Sequence, residues 1–499
     1  MTKQLLTYPF LFGSLRRIWI CLFIYAATSA LLFQLVILPY WLPSLHAGNG
    51  LWVGGDWVGF HRIARELSEK IILQGWGAWE LRPERQSPAG IAAIFYVFFG
   101  PHPWVLLPLN AAVHATTGVL LVCMVQPLVR NTRHALLCAL PFVFFPSGLV
   151  WYAQIHKDGI FFLGISLCLY GWILMSRLET WTGRCAQVLL PLLYLFGGCF
   201  LIWAMRAYGV KLMQGIGFIV AVVLVPRFLI AALQRKLGLS QAFLALLIVV
   251  ALPPSFGVFK DRAENGEVTL INDAMLSDVR PAETPNAKVG GGAVGASGSD
   301  QTSTSQEVRT DSFAQKSKNV VAELQWRKTD WLPSFVDNSF LTLSVVRSGY
   351  AGSVGGSNID ADVRFHSAPE FLPYLPRAFQ IGLAAPFPTS LFGQGTIRAT
   401  TGMRAISAVE MVFVYAALLF LPYALWRWRK LIEVWVMFGF CIILILIYTY
   451  ITPNIGSLYR SRYGFLMLLL ALGIAGAIAL RQHALAVTSP TTLRQAGDS

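Results

Sequence analysis

Apolar runs of about 20 residues recur along the chain, each long enough to cross roughly 30 Å of hydrocarbon as a helix. They fall near 18–40, 104–129, 134–152, 159–176, 187–204, 209–226, 239–256, 405–425, 431–451 and 463–480. This pattern predicts an all-α polytopic membrane protein with about ten transmembrane helices. The first run follows Arg16-Arg17, but it exceeds the roughly 7–15-residue core of a signal peptide and lacks a small-residue cleavage site, so it reads as a retained span. Segment 88–100, PAGIAAIFYVFFG, is too short to cross comfortably and ends at Pro101-His102-Pro103; it reads as a juxtamembrane or re-entrant helix. A different pattern starts in GGDWVGFHRIAREL (Gly54 to Leu67). There Phe60, Ile63, Ala64, Leu67 and Ile71 recur at helical spacing, while His61, Arg62, Arg65, Glu66 and Glu69 face the other way. The expectation is an amphipathic helix that begins at Asp56 and lies along the membrane surface.

Composition sharpens this picture. Of 499 residues, 55% are hydrophobic and 13% charged, against about 25% charged in soluble chains. The net charge of +14 is unevenly spread: the stretch 257–404 carries 14 Lys/Arg and 15 Asp/Glu, so the basic excess lies in short clusters between spans. That distribution speaks for membrane orientation and against a nucleic-acid partner. Arg16-Arg17, Arg130/Arg133, Arg177/Arg184, Arg227/Arg235/Lys236, Arg427/Arg429/Lys430 and Arg481 fall at every second connection. Placed in the cytoplasm, they put both termini inside. The connections 41–87, 153–158, 205–208, 257–404 and 452–462 are then outside. The chain divides into an N-terminal transmembrane module (1–256) with its amphipathic first outer loop (41–87), one long non-cytoplasmic loop (257–404), C-terminal helices (405–481) and a cytoplasmic tail (482–499). Within the long loop, 288–306 is Gly/Ser/Thr-rich and reads as disordered, whereas Phe371 to Gly393 mixes Pro with aromatic and aliphatic residues as an interfacial segment does. Six of the seven cysteines lie in apolar runs and none forms a CxxC pair, so they read as small hydrophobes and the sequence specifies no metal site.

The outer connections hold the conspicuous polar residues. Asp56 heads its helix, where Asp is a favoured N-cap; a capping carboxylate still has an oxygen to offer a ligand, and both roles stay open. In YAQIHKDGIF, His156, Lys157 and Asp158 crowd a loop of about six residues, a set that is costly to bury at a bilayer surface without partners. Arg206, Arg460 and Arg462 break the positive-inside trend. They either snorkel beside Tyr208, Tyr459 and Tyr463 or hold an anion, for which the guanidinium fork suits paired phosphate oxygens. The spans themselves are almost free of charge, with Glu410 and Glu433 near helix ends and His114 alone in mid-span. Ion-coupled transporters usually place ionisable groups near the membrane centre, so this distribution argues against transport.

The pattern Asp56, Phe60, Ile63, Ala64, Leu67 resembles the first outer loop of the GT-C class of polyprenyl-phosphate-sugar glycosyltransferases, which includes the dolichyl-phosphate-mannose-protein mannosyltransferases; Phe60 stands where the family often has Tyr. SPAGIAAIFYVFFG resembles that family's Pro-containing helix ending in Phe-Gly. FPSGLVWYAQIHKDGIFFLG resembles its later segment in which an Asp begins a span, and YRSRYGFLM its Arg-Tyr element opening the last helix. The likeness covers about 18–210 and 452–480. It implies inverting sugar transfer from a polyprenyl-phosphate-linked donor to a glycan, lipid or protein acceptor, at the non-cytoplasmic face of the cell (inner) membrane. Under it Asp56 is the general base, Asp158 a second catalytic group that orients a cation or contacts the sugar, and Arg206, Arg460, Arg462 and Lys157 hold the donor phosphate. His61, His156, Glu80 and Glu84 are candidate acceptor or sugar contacts, and Glu80 and Glu84 lie near the place of the family's second acid. A divalent cation, Mg or Mn, is compatible with the likeness but not required by it. Two rival readings are a polysaccharide polymerase or ligase acting on polyprenyl-diphosphate-linked glycans, which needs no base at Asp56, and a transporter or flippase.

Overall fold

The computed structural model describes residues 9–176, 185–234, 324–351, 357–388 and 398–488. The expected span 239–256 and the segment 288–306 lie outside them. The described chain is all-α, without a strand, and forms two compact units. Seven of its helices are long and apolar enough to cross a membrane, or eight when one bent pair is counted as a span. This is a multi-pass membrane protein.

Unit 1 comprises Met1–Asp261, Pro386–Ile445 and Ser461–Ser499. Its helix α1 (Pro9–Leu32) runs on into a wide π-helical turn, Phe33–Trp41. Then come α2 (Asp56–Gln74) and α3 (Ser87–Phe99). The bundle continues with α4 (Leu107–Val129), α5 (Thr132–Phe144), α6 (Pro146–Tyr152), α7 (Asp158–Ser176), α8 (Cys185–Met205) and α9 (Tyr208–Leu233). Helix α4 is central, packing on α1, α5 and α7.

Phe60, Ile63, Ala64, Leu67 and Ile71 are all buried on α2, as the periodicity predicts. What covers them differs from the expectation. Leu67 and Ile71 pack against Ala93 of α3, with Trp79 and Val97 beside them. Segment 88–100 is thus the packing partner of α2 along this face. The pairing demands a glycine: a Cβ on Gly90 would sit 2.3 Å from the carbonyl oxygen of Leu81 and 2.6 Å from that of Glu80. At the far end of the pair Ile72, Leu73, Trp76, Phe98 and Phe99 remain exposed.

The expected span 134–152 is two helices, α5 and α6, bent by 63°. Pro146 is the cause, because it forces Phe145 out of the helical region to φ −62°, ψ 126°. The broken end is secured from far along the chain. Glu410 on α12 (Arg398–Arg427) accepts hydrogen bonds from the Ser147 amide and hydroxyl, each 2.7 Å. A carboxylate there satisfies the Ser147 amide in the first turn of α6, an end where the helix dipole favours negative charge.

Helices α13 (Ile432–Ile451) and α14 (Ile455–Thr488) complete the chain. Expected as a connection, 452–462 is mostly helix: the Asn454 side chain accepts from the Ser457 amide at 3.0 Å and so starts α14 eight residues earlier than hydropathy suggests. At its other end α14 continues into the expected tail.

Unit 2 comprises Arg262–Ala385 and Leu446–Arg460. Its described part contains α10 (Ser334–Ala351) and α11 (Phe371–Ala384) around a core of Phe365, Phe371, Ala378 and Tyr450. Arg347 is buried there, donating to the carbonyls of Val363 and Tyr450, each at 3.0 Å. Asp360 accepts from Arg377 Nε (2.9 Å) and Nη2 (3.0 Å) and from the Tyr374 hydroxyl at 2.9 Å. Of the segment Phe371 to Gly393, expected as interfacial, α11 is an amphipathic helix that turns Phe371 and Ala378 into this core, buries Ile381 and leaves Leu372 exposed; 389–393 lie outside the described residues.

Candidate functional site

The site sits where α2, the 153–158 loop and the end of α8 meet in unit 1. Close helix packing brings the last two together. Helices α7 and α8 cross with almost no side chain between them: a Cβ on Gly198 would lie 2.5 Å from the Gly164 carbonyl oxygen. Small residues permit this approach between apolar helices, as is usual inside membranes. As a result the first residue of α7, Asp158, meets Arg206, which follows the last residue of α8.

Asp158 Oδ1 and Arg206 Nη2 form an ion pair whose side chains are 1% and 4% exposed. Arg206 Nη1 also donates to the Tyr208 hydroxyl at 3.0 Å, and its guanidinium lies 5.0 Å from the centre of the Phe161 ring. His156 is buried beside the pair. Its Nδ1 is 3.0 Å from the Asp158 amide nitrogen and 3.2 Å from Asp158 Oδ2. One nitrogen cannot serve both: unprotonated it accepts from the amide, protonated it donates to the carboxylate. Lys157 is buried too, with its ammonium 5.9 Å from the centre of the Phe60 ring on α2, within cation–π range.

Glutamines stitch the first outer loop to this cluster. Gln154 accepts from the Trp52 amide and donates to the Gly50 carbonyl, both at 3.2 Å. Gln34, in the π-helical turn, donates to the Ala153 carbonyl. The Trp57 indole donates to the Trp52 carbonyl and lies 5.9 Å from the His156 ring, centre to centre. Asp56 is therefore carried on the helix end whose next residue touches the cluster. It is not an N-cap: Gly55 holds that position, with an extended backbone and no capping side chain. Asp56 instead occupies the first helical turn, half-buried, where the helix dipole favours a carboxylate.

The other expected contacts spread more widely. His61 Nδ1 is 2.7 Å from the Tyr96 hydroxyl, and burial, with Arg65 and His102 adding to it, holds the imidazole below its usual range. Glu80 is exposed. Glu84 is 3.8 Å from Arg62 and, like Arg85, adopts a left-handed backbone (φ +48° and +64°). Two consecutive non-glycine residues in that region mark local strain. The turn they form leads into Ser87, whose hydroxyl donates to the Ala204 carbonyl, while the Arg82 guanidinium stacks 4.3 Å from the Trp203 ring centre. The strained segment is thereby held against the end of α8, two residues from Arg206.

Arg460 and Arg462 both lie on α14. Two residues apart on a helix, they project about 200° from one another. Arg462 is fully buried, with Nη2 4.0 Å from the Met411 sulfur. Arg460 is half-buried and belongs to unit 2. Early starting of α14 is what separates them.

Behind His156 and Asp158 lies a cavity of about 40 Å3, also lined by Asn110, His114, Tyr152 and Tyr463. It has room for roughly two or three waters. Among the described residues no three His, Cys, Asp or Glu side chains gather where one metal ion could reach them.

Sequence reasoning finds the charged residues of the cluster and places Tyr208 beside Arg206, but misses Gln34, Gln154 and Trp57. Gln34 alone gave a signal, as a polar residue inside an apolar run. No family model, curated protein or solved structure matches this chain.

Proposed function

We propose that the protein is a membrane glycosyltransferase of GT-C type, moving a sugar from a polyprenyl-phosphate donor to an acceptor on the non-cytoplasmic face. The observation that supports this reading is one cluster at one end of a lipid-embedded bundle: the helix headed by Asp56, the buried His156-Lys157-Asp158 loop, and Arg206.

In this reading Asp56 takes the proton of the acceptor hydroxyl. The acceptor oxygen attacks the anomeric carbon from the face opposite the phosphate, the bond from that carbon to the phosphate oxygen breaks, and configuration inverts. Polyprenyl phosphate leaves with the bonding electrons. Lys157 and Arg206 stabilise the charge that grows on its leaving oxygen. Asp158 is a positioning residue, fixing the Arg206 fork by its ion pair. In this reading Lys157 and Arg206 carry the charge of the phosphate.

The test uses the full chain in lipid, a panel of polyprenyl-phosphate sugars, and mass spectrometry of released polyprenyl phosphate. Wild type is expected to release it, and Asp56→Asn to lose at least about a hundredfold, the lower end of a general base's contribution. Equal release by both proteins removes Asp56 from the chemistry. Elongation of diphosphate-linked oligosaccharides in place of release points to a polymerase, and passage of substrate across vesicles with no new bond points to a transporter.

A further inference from the structure

The other end of the unit 1 bundle holds a second site. Asn110, beside the candidate site, and Arg130 are both reached along α4, and the 20 residues between them span roughly 30 Å, about the thickness of the hydrocarbon core. Around Arg130 opens a cavity of about 660 Å3. Arg130, Arg427, Arg429, Lys430 and His483 line it with the Trp428 indole, and among the described residues no carboxylate does. Its apolar wall comes from Leu128, Val129 and Leu431.

Basic residues at helix ends orient membrane proteins, and Arg427 in the last turn of α12 also suits the dipole there. Neither role requires cations from two separate turns to converge on one open volume beside the end of α14. The four cations are exposed, so an anion can reach all of them, and although water and salt screen their mutual repulsion, an anion among them relieves what remains. The turn is also rigid: the Leu431 amide donates to the Trp428 carbonyl at 2.8 Å, and the Trp435 indole donates to the Arg429 carbonyl at 2.9 Å. Arg429, exposed at the rim, donates to the Trp426 carbonyl at 2.9 Å and lies 5.1 Å from the centre of that ring. A preorganised basic cup with an apolar wall between membrane helices suits a phosphate joined to a hydrocarbon.

We infer that this cavity binds the phosphate headgroup of an anionic membrane lipid, on the face opposite the candidate active site and independently of the transfer reaction. The test reconstitutes the full chain in bilayers of phosphatidylcholine mixed with phosphatidylglycerol or cardiolipin, strips excess lipid, and counts retained lipids by native mass spectrometry. Wild type is expected to keep the anionic lipid in preference to phosphatidylcholine. At about fivefold per cation, the triple variant Arg427→Gln/Arg429→Gln/Lys430→Gln is expected to lose about a hundredfold in retention, and Arg481→Gln, outside the lining, to lose nothing. Because removing three basic residues can disturb insertion, Arg130→Lys/Arg429→Lys keeps the charge and removes the guanidinium forks; it is expected to lose severalfold. Unselective retention by wild type, or undiminished selectivity in both variants, overturns the inference. So does displacement of the lipid by millimolar glycerol phosphate or inorganic phosphate, which would assign the cup to a soluble phosphate ester.

Discussion

Replacing Asp158 by Asn leaves the shape of the side chain and removes its charge. Arg206 then keeps a guanidinium buried beside Phe161 without the Asp158 charge against it, in a pair whose side chains are 1% and 4% exposed. Removing one partner of a buried pair costs about 3–5 kcal/mol, because the remaining charge is stranded. Arg206→Gln strands the carboxylate instead and is expected to fall in the same range. The double variant strands neither, so its loss should be smaller than the sum of the single losses by about 0.5–3 kcal/mol. Equilibrium unfolding of the purified full chain in mixed micelles, run on wild type, both single variants and the double, measures the cycle. A loss below about 1 kcal/mol for Asp158→Asn, or additivity within about 0.5 kcal/mol, would refute the account, because separated or solvated charges behave that way.

Other expectations follow from the same geometry. Glu410→Ala leaves the Ser147 amide and hydroxyl unsatisfied in an apolar bundle and should destabilise by about 2–4 kcal/mol; Glu410→Gln keeps an acceptor and should lose about half as much, by the same unfolding assay. Gly90→Ala drives a Cβ into the backbone of Leu81 and Glu80, at about 1–3 kcal/mol, and should raise proteolysis at Arg82 and Arg85; unchanged cleavage would contradict the α2–α3 contact. In unit 2 the hydrogen bond from Arg377 holds Asp360 below the usual carboxylate range, against the opposing effect of its burial. That stabilisation is complete above the unfolded value of about 3.9 and is lost as pH falls through the folded value. With Arg377 39% exposed, solvent screening holds it to about 1 kcal/mol. Asp360→Asn should remove that part of the acid limb of the stability profile, and an identical limb would contradict it.

Short-range patterns were legible in the sequence, and long-range partners were not. The stripe Phe60, Ile63, Ala64, Leu67, Ile71 states that one face of α2 is covered, but says nothing about the cover, since lipid and α3 offer the same apolar chemistry. Asp158 and Arg206 each stood out as charges in outer connections, yet their pairing depends on how closely two glycines let α7 and α8 approach, 34 residues apart in the chain. Pro146 was visible inside 134–152, but kinked spans keep their hydropathy, so the 63° break left no mark on the apolar run. Asn454 was an overlooked start signal, and missing it moved Arg460 and Arg462 from a helix into a loop. The Ser147–Glu410 contact joins positions 263 residues apart and had no local trace.

That contact also orders the events of synthesis. Gln34, Trp52, Trp57, Gln154, His156, Asp158, Arg206 and Tyr208 all lie in the first 208 residues, so the cluster can close while the rest of the chain is still being made. Ser147 must wait. At roughly 5–20 residues per second, Glu410 emerges about 13–50 s later, and for that interval the head of α6 stands in the membrane without its carboxylate. The arrival of α12 is thus the step that locks the bend, and a nascent chain stalled before position 410 should hold a completed polar cluster on a bundle still open at α6.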